Sequence, residues 1–174
     1  MIELLRIKRN QDELRKVHEF YRSRFLVLLQ NLESVGHRPR LQDTFRSNAD
    51  QLKKFNAGLS QLRGGGPHTY EINGRPYSLA THFLDDDFPT SPTTAWITTL
   101  AIEAHKVGLQ TGCAWAQRGD SVLAPGKPHR VALDAAIAAG DYLQTKRLLL
   151  VATGFDPLHV EVPDWHEIMT KGQQ

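Results

Sequence analysis

The chain of 174 residues predicts an α+β fold, because helical segments and short strand-like segments occur together in it. Apolar residues recur at three- and four-residue steps in the first third of the chain, which is the helical period. Capped helical segments follow in the second half, and short segments that carry histidines lie between and after them. We expect a single domain, 1–174, in which a helical extension, 1–38, packs on a core formed by residues 39–174.

The N-terminal segment predicts one amphipathic helix over residues 12–32, and the breakers Gly36 and Pro39 end it. Its apolar face consists of Leu14, Val17, Phe20, Tyr21, Phe25, Leu28 and Leu29. Residues 40–45 then predict a short strand that delivers Arg46 to a turn.

The middle and the end of the chain alternate helices with short strands. Ser47 is a hydroxyl cap for a helix that runs towards Gly58, and the glycine-rich segment 64–76 predicts a loop. The remaining predictions are a strand at 78–83, a helix from Ser91 or Thr93 to Val107, one broken helix or two helices at 128–139 and 141–150, and a last strand that carries His159.

Charge and composition limit the classes of partner. A net charge of +2 is too small to indicate a nucleic-acid partner, and it does not oppose approach to an anionic polymer such as a cell wall. The lone Cys113 cannot form an internal disulfide. The first residues lack the long apolar core of a signal peptide or a membrane helix, so we expect no membrane insertion.

One pattern carries chemistry: Asp156 stands three residues before His159, and two further histidines, His68 and His82, occur earlier in the chain. Neutral imidazoles hold Zn²⁺, and a nearby carboxylate can take a proton from water as the water attacks a carbonyl. An isolated histidine is more often a surface or packed residue than a ligand, so the pattern as a whole matters.

The order of the motifs resembles a known family, the zinc D-alanyl-D-alanine carboxypeptidases and L-alanyl-D-glutamate endopeptidases of phage lysins, over residues 40–161. The resemblance implies a hedgehog-like fold with a small antiparallel sheet and flanking helices. The motifs that carry it are Phe45-Arg46-Ser47 with Gln51, Gly58-Leu59-Ser60, Gly66-Pro67-His68, Gly74-Arg75-Pro76-Tyr77-Ser78-Leu79-Ala80, Gly108-Leu109-Gln110-Thr111-Gly112, and Asp156-Pro157-Leu158-His159-Val160-Glu161.

The resemblance implies roles for individual residues. His68 and His159 match zinc ligands, Asp156 matches the general base, and Arg46 matches an arginine that contacts a substrate oxygen. His82 stands where the family places an aspartate ligand, and three histidines with a water also form a catalytic zinc set. A carboxylate from the segment 85–87 is the alternative third ligand.

Four more residues are expected near the site. Glu161 alternates with His159 along a strand, so we expect it to orient that ligand. Gln51 and Ser78 belong to the matching motifs, and His166 lies close enough in sequence to contact substrate.

These observations lead to one leading function and two alternatives. The leading function is a zinc peptidase that cleaves peptidoglycan stem peptides, located in the host cytoplasm before it is released to the cell wall. A catalytically impaired module that binds cell-wall peptide is the first alternative, because His82 replaces the family aspartate. A structural or assembly protein that associates through its N-terminal helix is the second. The sequence sets neither the bond that is cut nor the oligomeric state.

Overall fold

The computed structural model of the chain describes residues 2–60, 62–72, 75–116 and 122–171. These residues form an α+β fold with a small antiparallel four-stranded sheet, a two-stranded hairpin and flanking helices, which confirms the predicted class at that level. In chain order the elements are α1 (Ile2–Lys16), α2 (Glu19–Ser34), β1 (Pro39–Gln42), α3 (Asn48–Asn56), β2 (Tyr70–Ile72), β3 (Arg75–Tyr77), β4 (Ala80–Asp85), α4 (Thr94–Lys106), β5 (Gln110–Gly112), α5 (Pro128–Ala139), α6 (Tyr142–Val151), β6 (Asp156–Glu161) and α7 (Trp165–Lys171).

The sheet brings two histidine-bearing strands to its centre. Its strand order is β1-β4-β6-β5, and the register pairs His82 of β4 directly with His159 of β6. Side chains alternate between the two faces of a strand. Phe83 and Val160, the next residues along each strand, are fully buried in the hydrophobic core. The two histidines therefore project together from the opposite face.

The prediction of one N-terminal helix is wrong, because two helices meet at Val17 and His18. Val17 forms a parallel bridge with Ser78, and the backbone N–H of His18 donates to the Ser78 carbonyl at 2.9 Å. These contacts end α1. His18 is then the N-cap of α2, since its Nδ1 accepts from the backbone N–H of Phe20 at 3.3 Å.

Helix α1 is attached to β1 by buried polar groups in addition to apolar packing. The Arg6 guanidinium and the Asn10 amide both donate to the Pro39 carbonyl, at 2.7 Å and 2.9 Å. Asn10 also accepts from the backbone N–H of Leu41 at 2.8 Å. The buried face of α1 consequently contains Arg6, Asn10 and Leu14, and this face fixes the first helix against the edge of the sheet.

The other predicted helices are confirmed, and their caps explain their boundaries. The hydroxyl of Ser47 accepts from the N–H of Asp50 at the start of α3, and Thr93 caps α4 in the same way. Gly140 separates α5 from α6 with a φ of +68°, a left-handed conformation that glycine adopts without steric cost.

Two predictions about the remaining segments need correction, and two short elements were not predicted. The predicted loop at 64–76 contains the hairpin of β2 and β3, although Gly74 lies outside the described residues. The strand expected at 40–45 spans only Pro39–Gln42. Strand β5 and helix α7 were not predicted, because segments of three and seven residues are too short to show a period.

Candidate metal centre

Three histidines from three separate segments converge on one point beside the sheet. His82 and His159 come from the paired strands β4 and β6, and His68 comes from the loop before β2. One ring nitrogen from each of them lies within 4.8 Å of the other two. The cluster that was predicted from the sequence therefore exists, and it could hold a metal ion.

His68 is held by its backbone and by one ring nitrogen. Its carbonyl accepts from the backbone N–H of Arg46 at 2.9 Å. Its Nδ1 lies 2.9 Å from the carbonyl oxygen of Thr44, which can only accept, so Nδ1 carries the proton. The other nitrogen, Nε2, keeps its lone pair and faces His159.

His159 is oriented by a carboxylate and an indole. Its Nε2 lies 2.9 Å from Glu161, whose carboxylate also accepts from the Gln110 amide at 2.7 Å. The Trp115 ring packs on the imidazole with 4.8 Å between ring centroids. This arrangement turns His159 Nδ1 towards His68, and the predicted pairing of Glu161 with His159 is present as a hydrogen bond.

The two facing nitrogens fit a cation. His159 Nδ1 and His68 Nε2 are 3.2 Å apart. Two nitrogen ligands at 2.0–2.1 Å from a tetrahedral zinc ion are separated by about 3.3 Å, so the spacing matches that geometry. When Glu161 is ionised, His159 Nε2 carries the proton, so both facing nitrogens are unprotonated lone pairs that repel each other. A metal ion between them would remove this repulsion.

Burial keeps the imidazoles of His68 and His159 neutral, which is the form that binds metals. Burial, together with the neighbouring histidines, lowers the pKa of His68 well below its usual value. Burial and the nearby His82 lower the pKa of His159 to about 3.

The two carboxylates beside the histidines differ in charge. Burial alone would raise the pKa of Asp156, but the hydrogen bond from His82 and the proximity of the three imidazoles bring it below its usual value. Burial raises the pKa of Glu161 to about 7, although hydrogen bonds from Gln110 and Trp165 oppose the shift. Asp156 is therefore ionised at neutral pH, whereas the pKa of Glu161 is itself close to neutral pH.

His82 makes a contact that the sequence did not predict. Its Nε2 lies 3.0 Å from Asp156 Oδ2, so the two residues form a carboxylate–imidazole pair. Its ring lies parallel to the ring of His68, with 5.3 Å between centroids. The third histidine and the expected base thus contact each other directly.

The histidines open onto a cleft of about 280 Å³ that has both cationic and aromatic lining residues. The cationic ones are Arg46 and Lys54, and Asp43 forms ion pairs with both of them. The aromatic ones include Trp115 and Phe155. A ligand with an anionic group and an apolar group matches this lining.

Arg46 is placed at the cleft by its neighbours. Only 9% of it is exposed, and its guanidinium donates to the side-chain oxygen of Gln51 at 2.7 Å. Gln51 is in turn anchored through its amide to the Leu62 carbonyl at 2.6 Å. The structure thus brings Arg46 and Gln51 to the site, with Gln51 as the support of the arginine.

The other predicted residues lie away from the cleft lining. The Ser78 hydroxyl donates to the Ala80 carbonyl at 2.6 Å, which fixes the entry to β4. His166 is exposed and stacks on Trp165, and it does not line the cleft.

The alternative third ligand from the segment 85–87 is wrong, because these carboxylates have other partners. Asp85 contacts His37 at 3.2 Å, Asp86 contacts Arg40 at 3.2 Å, and Asp87 contacts Arg38 at 2.7 Å.

Sequence reasoning missed Asp43, Lys54, Thr44 and Trp115. Asp43 has a positive φ of +54°, and no local pattern in the sequence marks it. Lys54 lies three residues after Gln51 on α3, and this helical spacing is the one signal that could have found it.

Comparisons with family models, with curated proteins and with solved structures found no match to this chain. The resemblance of the motifs to zinc peptidases therefore stays an expectation. Within the described residues, no helix is both long enough and apolar enough to span a membrane.

Proposed function

We propose that this protein is a zinc metallopeptidase that hydrolyses peptidoglycan stem peptides. The observation that carries the proposal is the convergence of His68, His82 and His159, with their ligand atoms within 4.8 Å, in a cleft that also contains Asp156 and Arg46. This is the donor set of three imidazoles and one open position that catalytic zinc sites use.

Zinc held by the three imidazoles would supply a Lewis acid and lower the pKa of a bound water. Asp156 is ionised and lines the same cleft, so it can accept the proton of that water. Arg46 presents a positive charge at the cleft and can stabilise the negative oxygen that forms when the peptide carbonyl is attacked. Trp115 and Phe155 add apolar surface to the lining of the cleft.

The substrate class rests on the order of the motifs and on the lining of the cleft. The motifs resemble those of peptidases that act on cell-wall stem peptides. Such peptides carry carboxylates and small apolar side chains, and the cleft lining contains Arg46 and Lys54 together with aromatic rings. In this proposal the protein stays in the host cytoplasm until it is released to the cell wall.

The test combines metal analysis with digestion of muropeptides. We expect about one zinc per chain in protein purified without added metal, and loss of that zinc in the His68→Ala variant. The matched control is His105→Ala, which removes an exposed histidine of α4. Equal, substoichiometric zinc in wild type and His68→Ala would show that the site is misassigned.

A second candidate is a binding module that keeps the metal and holds cell-wall peptide without cutting it. The contact between His82 and Asp156 favours it, because this contact occupies one oxygen of the proposed base. The variant His82→Asp separates the two candidates at matched zinc loading. A catalytic site built around His82 loses zinc affinity and hydrolysis in this variant, whereas an impaired relative gains hydrolysis.

A further inference from the structure

The hydrogen bond between Asp156 and His82 determines which ring nitrogen of His82 carries the proton. An ionised carboxylate only accepts hydrogen bonds, so the ring nitrogen that faces it at 3.0 Å must carry the proton. That nitrogen is His82 Nε2. In a neutral imidazole the proton on Nε2 leaves Nδ1 with a free lone pair.

The free nitrogen of His82 has no partner in the described part of the chain. His82 Nδ1 is buried there and makes no hydrogen bond. A buried polar atom without a partner is costly, and such atoms in proteins are usually satisfied by water, an ion or a ligand.

The strand register supports a ligand role for this nitrogen. His82 and His159 are direct cross-strand partners, so their side chains rise from the same face a short distance apart. His159 faces the cluster with Nδ1, as its contact with His68 shows. One ring nitrogen of His82 and one of His159 lie within 4.8 Å of each other, a distance that a shared ion can bridge.

We infer that His82 binds the metal through Nδ1 and that Asp156 is the positioning residue that keeps the proton on Nε2. The inference rests on the metal site proposed above. It assigns to Asp156 a second role beside proton acceptance. Because Oδ2 holds the imidazole, Oδ1 remains to accept a proton from water.

The same logic describes His159, where Glu161 contacts Nε2 at 2.9 Å and leaves Nδ1 for the cluster. Two strands would thus present two imidazoles in the same tautomer, each supported by a carboxylate. Partners of this kind fix the ring orientation of a ligand, and their loss typically lowers metal affinity by about 10- to 100-fold.

Nuclear magnetic resonance can identify the metal-binding nitrogen directly. In zinc-loaded protein with ¹⁵N-labelled histidine, we expect the proton of His82 on Nε2 and the zinc-induced shift on Nδ1. His82→Asn serves to assign the signals of this ring. A zinc-induced shift on Nε2, with the proton on Nδ1, would overturn the inference.

Zinc affinity in two variants of Asp156 gives an independent readout. The carbonyl oxygen of the Asp156→Asn side chain still accepts from His82 Nε2, so we expect zinc affinity within a few-fold of wild type. Asp156→Ala removes the acceptor, so we expect a loss of about 10- to 100-fold. Wild-type affinity in Asp156→Ala would show that Asp156 does not position His82.

These results separate the inference from the proposed function. If zinc does not depend on His68, the proposed metal site itself fails. If zinc depends on His68 but binds His82 through Nε2, only the assignment of Nδ1 fails.

Discussion

Adding one methyl group at Gly154 tests whether a close backbone contact behind the metal centre sets its geometry. A Cβ on Gly154 would lie 2.2 Å from the carbonyl oxygen of Gly112 and 2.7 Å from the amide nitrogen of Trp115. The N–H of Gly154 also donates to the Cys113 carbonyl at 2.6 Å. These neighbours are backbone atoms, so none can rotate away, and the two segments must separate to admit the methyl group.

The expected cost follows from the packing. Inserting a methyl group into a tightly packed site typically costs about 1–3 kcal/mol. For a chain of about this length, each kcal/mol shifts Tm by roughly 2–4 °C, so Gly154→Ala should lower Tm by about 2–12 °C. The displacement also reaches the site, because Trp115 packs on His159 with 4.8 Å between ring centroids. We therefore expect weaker zinc binding as well.

The measurement is thermal unfolding of metal-free protein, followed by zinc titration. Gly64→Ala is the matched control, because its added Cβ meets no atom within 4 Å and its backbone is not in the left-handed region. This control should keep the wild-type Tm and zinc affinity. If Gly154→Ala unfolds at the same temperature as Gly64→Ala, the close contact does not constrain the fold and the reasoning is refuted.

Three further predictions use separate parts of the molecule. Asp156→Asn should keep zinc and fold while lowering peptide hydrolysis by about 10² or more, and unchanged turnover would exclude Asp156 as the base. Lys54→Ala should raise KM for anionic peptides about tenfold without loss of zinc, whereas Lys53→Ala, on the solvent side of α3, should not. Burial lowers the pKa of His18, so the folded protein favours the neutral imidazole that caps α2. The stabilisation by this cap is complete above the unfolded pKa near 6.5, and it is lost as the pH falls below that value. On acidification, the free energy of unfolding of wild type should fall by about 0.5–2 kcal/mol more than that of His18→Asn, as measured by urea denaturation. If the difference between the two proteins does not change with pH, the prediction is contradicted.

The parts of the fold that could be predicted are those with a local cause. Ser47, Thr93 and Gly140 each mark a helix boundary through a bond or a backbone angle within four residues of that boundary. The break at Val17 has no local cause, since it depends on pairing with Ser78 far along the chain. Helical periodicity continues across the break because both helices bury apolar residues, so the sequence reads as one helix.

The candidate site likewise has contacts that the sequence could predict and contacts that it could not. The spacing of Glu161 and His159 along one strand was enough to predict their contact, which the structure contains at 2.9 Å. The contact of Asp156 with His82 depends on the register between β4 and β6, and this register could not be derived from the sequence alone. The sequence therefore identified the histidines but did not predict that the expected base contacts His82.

At the proposed metal site, the charges around the histidines would balance a divalent ion that the three imidazoles hold. The negative charge is not on the ligands themselves but on two carboxylates that contact them: Asp156 contacts His82, and Glu161 contacts His159. A bound cation would favour the ionised form of Glu161, whose pKa in the metal-free protein is about 7. The two carboxylates then balance the ion. Arg46 and Lys54 share the single carboxylate of Asp43 and leave one positive charge at the cleft, which in the proposed function would face an anionic substrate.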